Sequence, residues 1–247
     1  MTRATLALGL LLLAAPAAAE ELCPCPPPEP PPPLWTGSIG LSYLSTSGNS
    51  DSETIGLDVR FERQPTPWGV ELAATANRAE TDGEKTAERL LGGVRGKRSL
   101  SERWDLFAGL SWERDEFAGF DSRTIVESGG LWHALLDPEH KLDFDLGLTW
   151  TRQEPVQGAG DDSFGAVVGA RYAWRISDSA TLAERAVFYP SFDASDDWRF
   201  RSETSIEAAL ASSWALRASY LVTRDNRPEP GFEKDDTTTS VSLVWKR

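Results

Sequence analysis

From residue 35 onward, apolar and polar side chains alternate with a period of two. In the stretch WDLFAGLSW, Trp104, Leu106, Ala108, Leu110 and Trp112 occupy every second position. Asp105, Gly109 and Ser111 lie between them, with Phe107 the exception. Period two marks an extended strand, because successive side chains point to opposite faces. The pattern recurs at Trp68, Val70, Leu72, Ala74 and Ala76, at Leu142, Phe144, Leu146, Leu148 and Trp150, and at Trp214, Leu216, Ala218, Tyr220 and Val222. Strands of this type begin roughly every three dozen residues, the length of a repeating hairpin with its loop.

Twelve strands can be walked in this way, starting near residues 35, 55, 68, 89, 104, 123, 142, 164, 181, 198, 214 and 237. Strands 4 and 6 alternate less cleanly, and strand 9 is ambiguous in facing because Glu184 and Arg185 are adjacent. The connections alternate in length. Residues 64–67, 99–103, 137–141, 177–180 and 212–213 are short turns. Residues 46–53, 79–87, 115–122, 153–163, 191–197 and 225–236 are longer and hold about half of the acidic residues. Short turns at one end and long loops at the other are the habit of outer-membrane barrels, whose short side is periplasmic.

Alternation alone does not say whether the apolar face meets a core or a lipid. A soluble β-sandwich or a secreted barrel also alternates. The tryptophans separate the cases. Trp35, Trp68, Trp104, Trp174, Trp214 and Trp245 fall at the short-turn ends of strands, with Trp132 a little deeper, and Trp112, Trp150 and Trp198 fall at the long-loop ends. Two aromatic girdles flanking aliphatic positions match the profile of a bilayer rather than a soluble core. The expectation is an all-β, antiparallel, up-and-down transmembrane β-barrel of about twelve strands. Its partners are then membrane lipid, lipopolysaccharide and the outer-membrane assembly machinery.

The opposite face should line the lumen. It carries Arg60, Glu71, Arg95, Lys97, Asp105, Glu127, Asp145, Arg171, Arg201, Glu203, Glu207 and Arg217. Both signs occur, so they can pair across the barrel. A dry core would not tolerate so many charges. Among these positions, Asp145 is expected to accept substitution better than the outward-facing Leu146.

Residues 1–19 read as a signal peptide, with Arg3, an apolar run from Ala4 and an A-x-A site before Glu20. Acylation at Cys23 is disfavoured because Glu20, Glu21 and Leu22 do not form a lipobox. Residues 20–34 are a proline-rich periplasmic tail holding both cysteines, Cys23 and Cys25, which can pair with each other or with another chain and make no metal site alone. Residues 35–247 are the barrel. Beyond the leader no run reaches the roughly 18 to 20 apolar residues of a membrane-spanning helix. The net charge of −13 sets the chain against a nucleic-acid partner.

The stretches GLSYLSTSGNSDSET at 40–54, WERDEFAGFDSRT at 112–124 and NRPEPGFEKDDT at 226–237 resemble the salt-induced outer-membrane (YdiY-like) family, a domain of unknown function. The resemblance covers residues 35–247. It implies an outer-membrane barrel and no chemistry. One departure is the end of the chain, where Trp245 is followed by Lys246 and Arg247 rather than closing on the aromatic residue.

Candidate chemistry is sparse. The only histidines are His133 and His140, both near the short-turn side, so an outer-leaflet hydrolase would lack a base for its serine. Acid pairs such as Asp161-Asp162, Asp196-Asp197 and Asp235-Asp236 lack the spacing of a calcium loop. No catalytic, cofactor or metal residue is assigned. Three classes remain: a narrow passive pore for small solutes or ions, a non-conducting envelope or osmotic-stress protein, and an enzyme, the least favoured. Twelve strands lie between the roughly eight that side chains fill and the sixteen or more that leave an open channel. For a pore, the rim acids Asp82, Glu84, Asp161, Asp162, Asp196, Asp197, Asp235 and Asp236 predict a weak cation preference.

Overall fold

The structure, a computed structural model, describes residues 34–46 and 52–246. The leader, the tail with Cys23 and Cys25, and the connection at 47–51 lie outside the described residues. The strands are β1 (Trp35–Thr46), β2 (Ser52–Arg63), β3 (Trp68–Thr81), β4 (Glu84–Ser101), β5 (Trp104–Asp115), β6 (Phe120–Leu136), β7 (His140–Pro155), β8 (Asp161–Ser177), β9 (Ala180–Pro190), β10 (Trp198–Ala211), β11 (Trp214–Asp225) and β12 (Asp235–Lys246). Each pairs antiparallel with its neighbours in sequence, and β12 pairs with β1, so the sheet closes on itself. Closure leaves no exposed edge running the length of the sheet. The closing seam is short, from Ser38↔Lys246 to Leu41↔Leu243.

Two features differ from the sequence reading. Several strands run further than the apolar alternation does, because above the apolar stretch the ladder continues with polar residues on both faces. The connection expected at 79–87 is thereby reduced to a turn at Asp82 and Gly83, with φ of 52° and 78°. Positive φ at both central residues is what a two-residue hairpin turn requires, and Asp-Gly is a favoured pair for it. The connection expected at 115–122 holds a single 3-10 turn, Glu116–Ala118. Asp115 caps it by accepting from the Ala118 amide, and Gly119 closes it at φ 93°.

The outer face carries the aliphatic and aromatic positions. Leu146, Leu148 and Phe164 are 66, 63 and 60% exposed, which only a non-aqueous surrounding would favour on so large a scale. Facing is now defined for the unclear strands. On β4, Leu90 and Val94 are exposed while Arg95 and Lys97 are buried; on β6, Val126 and Trp132 are exposed and Leu131 is buried. On β9, Phe188 pairs with the outward Val168, so Leu182, Glu184 and Ala186 share its outer face and Arg185 and Val187 point inward. Glu184 is therefore a carboxylate on the outer surface. Ser202 donates to one of its oxygens at 2.6 Å, and the Thr204 hydroxyl donates to the other.

The interior is not uniformly polar. Phe107, Leu131, Val167 and Val187 form a buried apolar cluster with Tyr189 packed against it. Phe107, the exception to the alternation of β5, is an inward residue of this cluster, and the Arg95 guanidinium lies 4.2 Å over its ring. Beside the cluster the backbones of β6 and β7 approach closely. Gly129 and Gly147 are partners on β6 and β7, and a Cβ on Gly147 would lie 2.3 Å from the Ser128 carbonyl oxygen. A backbone atom cannot yield as a flexible side chain can. Gly147→Ala should therefore cost about 1 to 3 kcal/mol, as overpacking does, and lower the yield of folded barrel. The opposing case is Gly92→Ala on β4, where nothing lies within 4 Å of the new atom. Equal folding yields for the two variants would contradict the close approach.

Candidate functional site in the barrel interior

Alternation sends every second side chain of each strand into a space enclosed by twelve strands. Pairs between strands that are not neighbours define that space, because only the interior connects them. Arg60 on β2 reaches Glu203 on β10 at 3.4 Å, and Arg217 on β11 reaches Asp58 on β2 at 3.6 Å. Arg95 on β4 binds Asp145 on β7 at 3.0 Å and also holds Glu127 on β6. Lys97 on β4 binds Glu62 on β2 at 2.9 Å and Glu71 on β3 at 3.1 Å.

Two pairs span the barrel almost from wall to wall. Arg171 on β8 lies 3.7 Å from Glu71 on β3, and Arg123 on β6 lies 3.0 Å from Asp225 on β11. In each case the strands are five apart in a ring of twelve. Such bridges divide the lumen rather than line it. What remains open includes two adjoining cavities, of about 160 Å³ and about 80 Å³, which share Asp58, Arg60, Thr75, Leu91, Arg201 and Glu203 in their walls.

Asp145 is almost fully enclosed, 4% exposed, and its two oxygens take different cations: Oδ2 faces Arg95 and Oδ1 faces Arg171, each at 3.0 Å. The expectation that Asp145 accepts substitution better than Leu146 took no account of these two cations. The alternation identified its face correctly, but a face does not reveal how many cations one carboxylate holds. Sharing recurs elsewhere. Glu207 binds Arg217 at 2.8 Å and Lys246 at 2.5 Å. Asp105, 3% exposed, and Asp143 hold opposite ring nitrogens of His133 at 3.3 and 2.7 Å.

Several interior charges were not singled out from sequence: Asp58, Glu62, Arg89, Glu113 and Arg123, which belong to the network, and Arg185, which does not. Arg89 forms an ion pair with Glu113. The signal was present for most of them, because each sits on the inward parity of its strand. On strands 4, 6 and 9 the parity itself was unclear.

The girdle residues lie on the outside. Trp104 stacks on Trp132 at 6.2 Å, and Trp132 on Phe144 at 5.8 Å. Trp214 pairs in register with Trp245, while Trp35, Trp68, Trp104 and Trp174 are exposed at the same short-turn end. Trp112, Trp150 and Trp198 stand toward the other end, with Trp198 against Phe188 at 5.7 Å and Arg224 over its ring. His140 joins the lower band, stacked on Trp174 at 5.8 Å, with Nδ1 2.8 Å from the Tyr172 hydroxyl.

At the rim, Asp235 pairs with Arg224 at 2.8 Å and Asp162 approaches Arg152 at 3.5 Å. Burial pushes the Asp197 carboxyl above its usual range. The rim is thus less negative than a count of its acids suggests. Among the described residues, no group of three or more His, Cys, Asp or Glu side chains is placed to hold a metal ion.

Known proteins share this architecture. The chain is similar to the NanC porin, with a TM-score of 0.53 and 11% identity over 86% of this chain and 99% of that one. It is also similar to an outer membrane channel from Pseudomonas putida F1, with a TM-score of 0.50 and 15% identity over 86% and 95% of the two chains. An uncharacterized protein of Escherichia coli (strain K12), YdiY, is 24% identical over 212 residues, covering 85% of this chain and 82% of that one. With the match over residues 39–246, the chain belongs to the family described as proteins of unknown function, DUF481.

Proposed function

We propose that this chain is an outer-membrane barrel whose interior forms a narrow, charge-bridged pathway for ions or small solutes. The short turns face the periplasm and the longer connections face outward. The observation that carries the reading is the pair of adjoining cavities with charged walls, at the centre of a barrel whose outer face is apolar. An interior evolved only to be solid would gain nothing from leaving charged groups around space for water. The likeness to a porin and to an outer membrane channel supports the same reading at the level of architecture.

A second reading, a non-conducting envelope protein, is favoured by the Glu71–Arg171 and Arg123–Asp225 bridges that cross the lumen. An enzyme has less support. His133, the one interior histidine, has both ring nitrogens taken by carboxylates. Lipid and lipopolysaccharide at the outer belt, and the assembly machinery during insertion, are the partners this reading requires.

Conductance across a planar bilayer separates the readings. The wild type should show small discrete steps, and Glu71→Ser with Arg171→Ser should enlarge them several-fold by removing one bridge. Silence from both proteins in repeated reconstitutions would favour the envelope reading.

A further inference from the structure

Among the described residues, two of the interior cations outside the ion-pair network share one cavity. Arg185 on β9 and Arg201 on β10 both line the larger cavity, and neither guanidinium makes a hydrogen bond or ion pair with any described residue. The carboxylates that act on them most strongly are already committed: Glu71 to Lys97, Glu203 to Arg60 and Glu113 to Arg89. Register pairs Arg201 with Val187 and Glu203 with Arg185. The two arginines are therefore diagonal neighbours on one face, on the order of 7 to 8 Å apart at the backbone. Arg201 also borders the smaller cavity, so it stands where the two spaces meet.

An enclosed guanidinium without an anion is costly, and its planar fork of donors matches the oxygens of a carboxylate or phosphate. The space beside it, about 160 Å³, has room for roughly five waters at about 30 Å³ each. That is also enough for a small oxyanion. The cavity wall also includes the inward Leu91 and Val187, which suit the carbon part of an organic acid.

We propose that Arg185 and Arg201 form a binding site for a small oxyanion, a carboxylate or phosphate, within the barrel. The site gives the pathway a solute class and reverses the cation preference expected from the rim acids. It rests on the pore reading only for how the anion arrives, because binding itself does not require conduction.

The test uses the refolded barrel in detergent micelles, with inorganic phosphate and acetate as separate probes against chloride at equal ionic strength. A ligand that binds the folded state alone raises the unfolding midpoint with its concentration. The wild type should show a saturable rise with at least one probe, and phosphate binding should broaden the phosphorus resonance. R185Q/R201Q should lose both effects, while Arg152→Gln at the rim should keep them. If the double variant does not fold, R201Q alone should weaken binding at least tenfold. No rise over chloride with either probe, or an equal rise in wild type and the arginine variants, overturns the site. Conductance is recorded separately: a silent barrel that binds phosphate keeps the site and loses the pore, and a conducting barrel indifferent to both probes does the reverse.

Discussion

Asp145→Ala should lower the stability of the folded barrel by roughly 3 to 5 kcal/mol, the usual cost of removing one partner from a buried ion pair. The carboxylate is almost fully enclosed and is the shared anion for Arg95 and Arg171. Its loss leaves Arg95 with Glu127 alone and Arg171 with only the longer approach to Glu71. The penalty is mainly that of cations left without compensation, not the net worth of the pair. Replacing Arg95 by Met together with Asp145 by Leu should therefore recover part of the loss, because the Arg95 charge is removed along with its anion. Urea midpoints of the folded band on electrophoresis in detergent would measure both. A single variant within 1 kcal/mol of wild type would mean that water already carries these charges.

Leu146→Arg, one residue along the same strand, should fail for the opposite reason. Leu146 is 66% exposed on the outer face, midway between Leu142 and Trp150. Arginine at the midplane of a barrel's lipid face costs about 2 to 4 kcal/mol, falling toward the interfaces. Folding into lipid vesicles should suffer accordingly, while folding in short-chain detergent should suffer less. Thr238→Arg provides the comparison, because Thr238 lines the smaller cavity inside the barrel. Equal folding of the two variants into vesicles would sink the assigned faces.

These neighbours also show how far sequence reaches. Period-two alternation was enough for the closed barrel, the hairpin order and the parity of β5, β7 and β11, because each rests on a local rule repeated many times. Trp104 and Trp112 marked the girdles for the same reason. Tertiary facts lay beyond that rule. Nothing local in the sequence indicates that Asp145 serves two arginines, or that Glu71 meets Arg171 across the lumen. On β6, Ser128-Gly129-Gly130 weakened the pattern, and at Gly129 a side chain would strike the β7 backbone. On β9, Glu184 violated the outward rule because Ser202 and Thr204 supply its hydrogen bonds from the next strand. The Asp82-Gly83 turn was legible and was missed. The polar flanks of β3 and β4 read as loop, whereas Asp-Gly between two paired strands is a hairpin signal.

A membrane-spanning barrel requires the outer face to meet lipid while the inner face meets water. Nitroxide labels on cysteines substituted singly for Phe144, Leu146 and Leu148, and for Asp143 and Thr149, would test this along β7 in reconstituted bilayers. Collision with oxygen should be frequent and collision with a water-soluble nickel complex rare at the first three positions, with the greatest contrast at Leu146. Asp143 and Thr149 should show the reverse. Nickel access that is equal at all five positions would place water on both faces and contradict a membrane-spanning barrel.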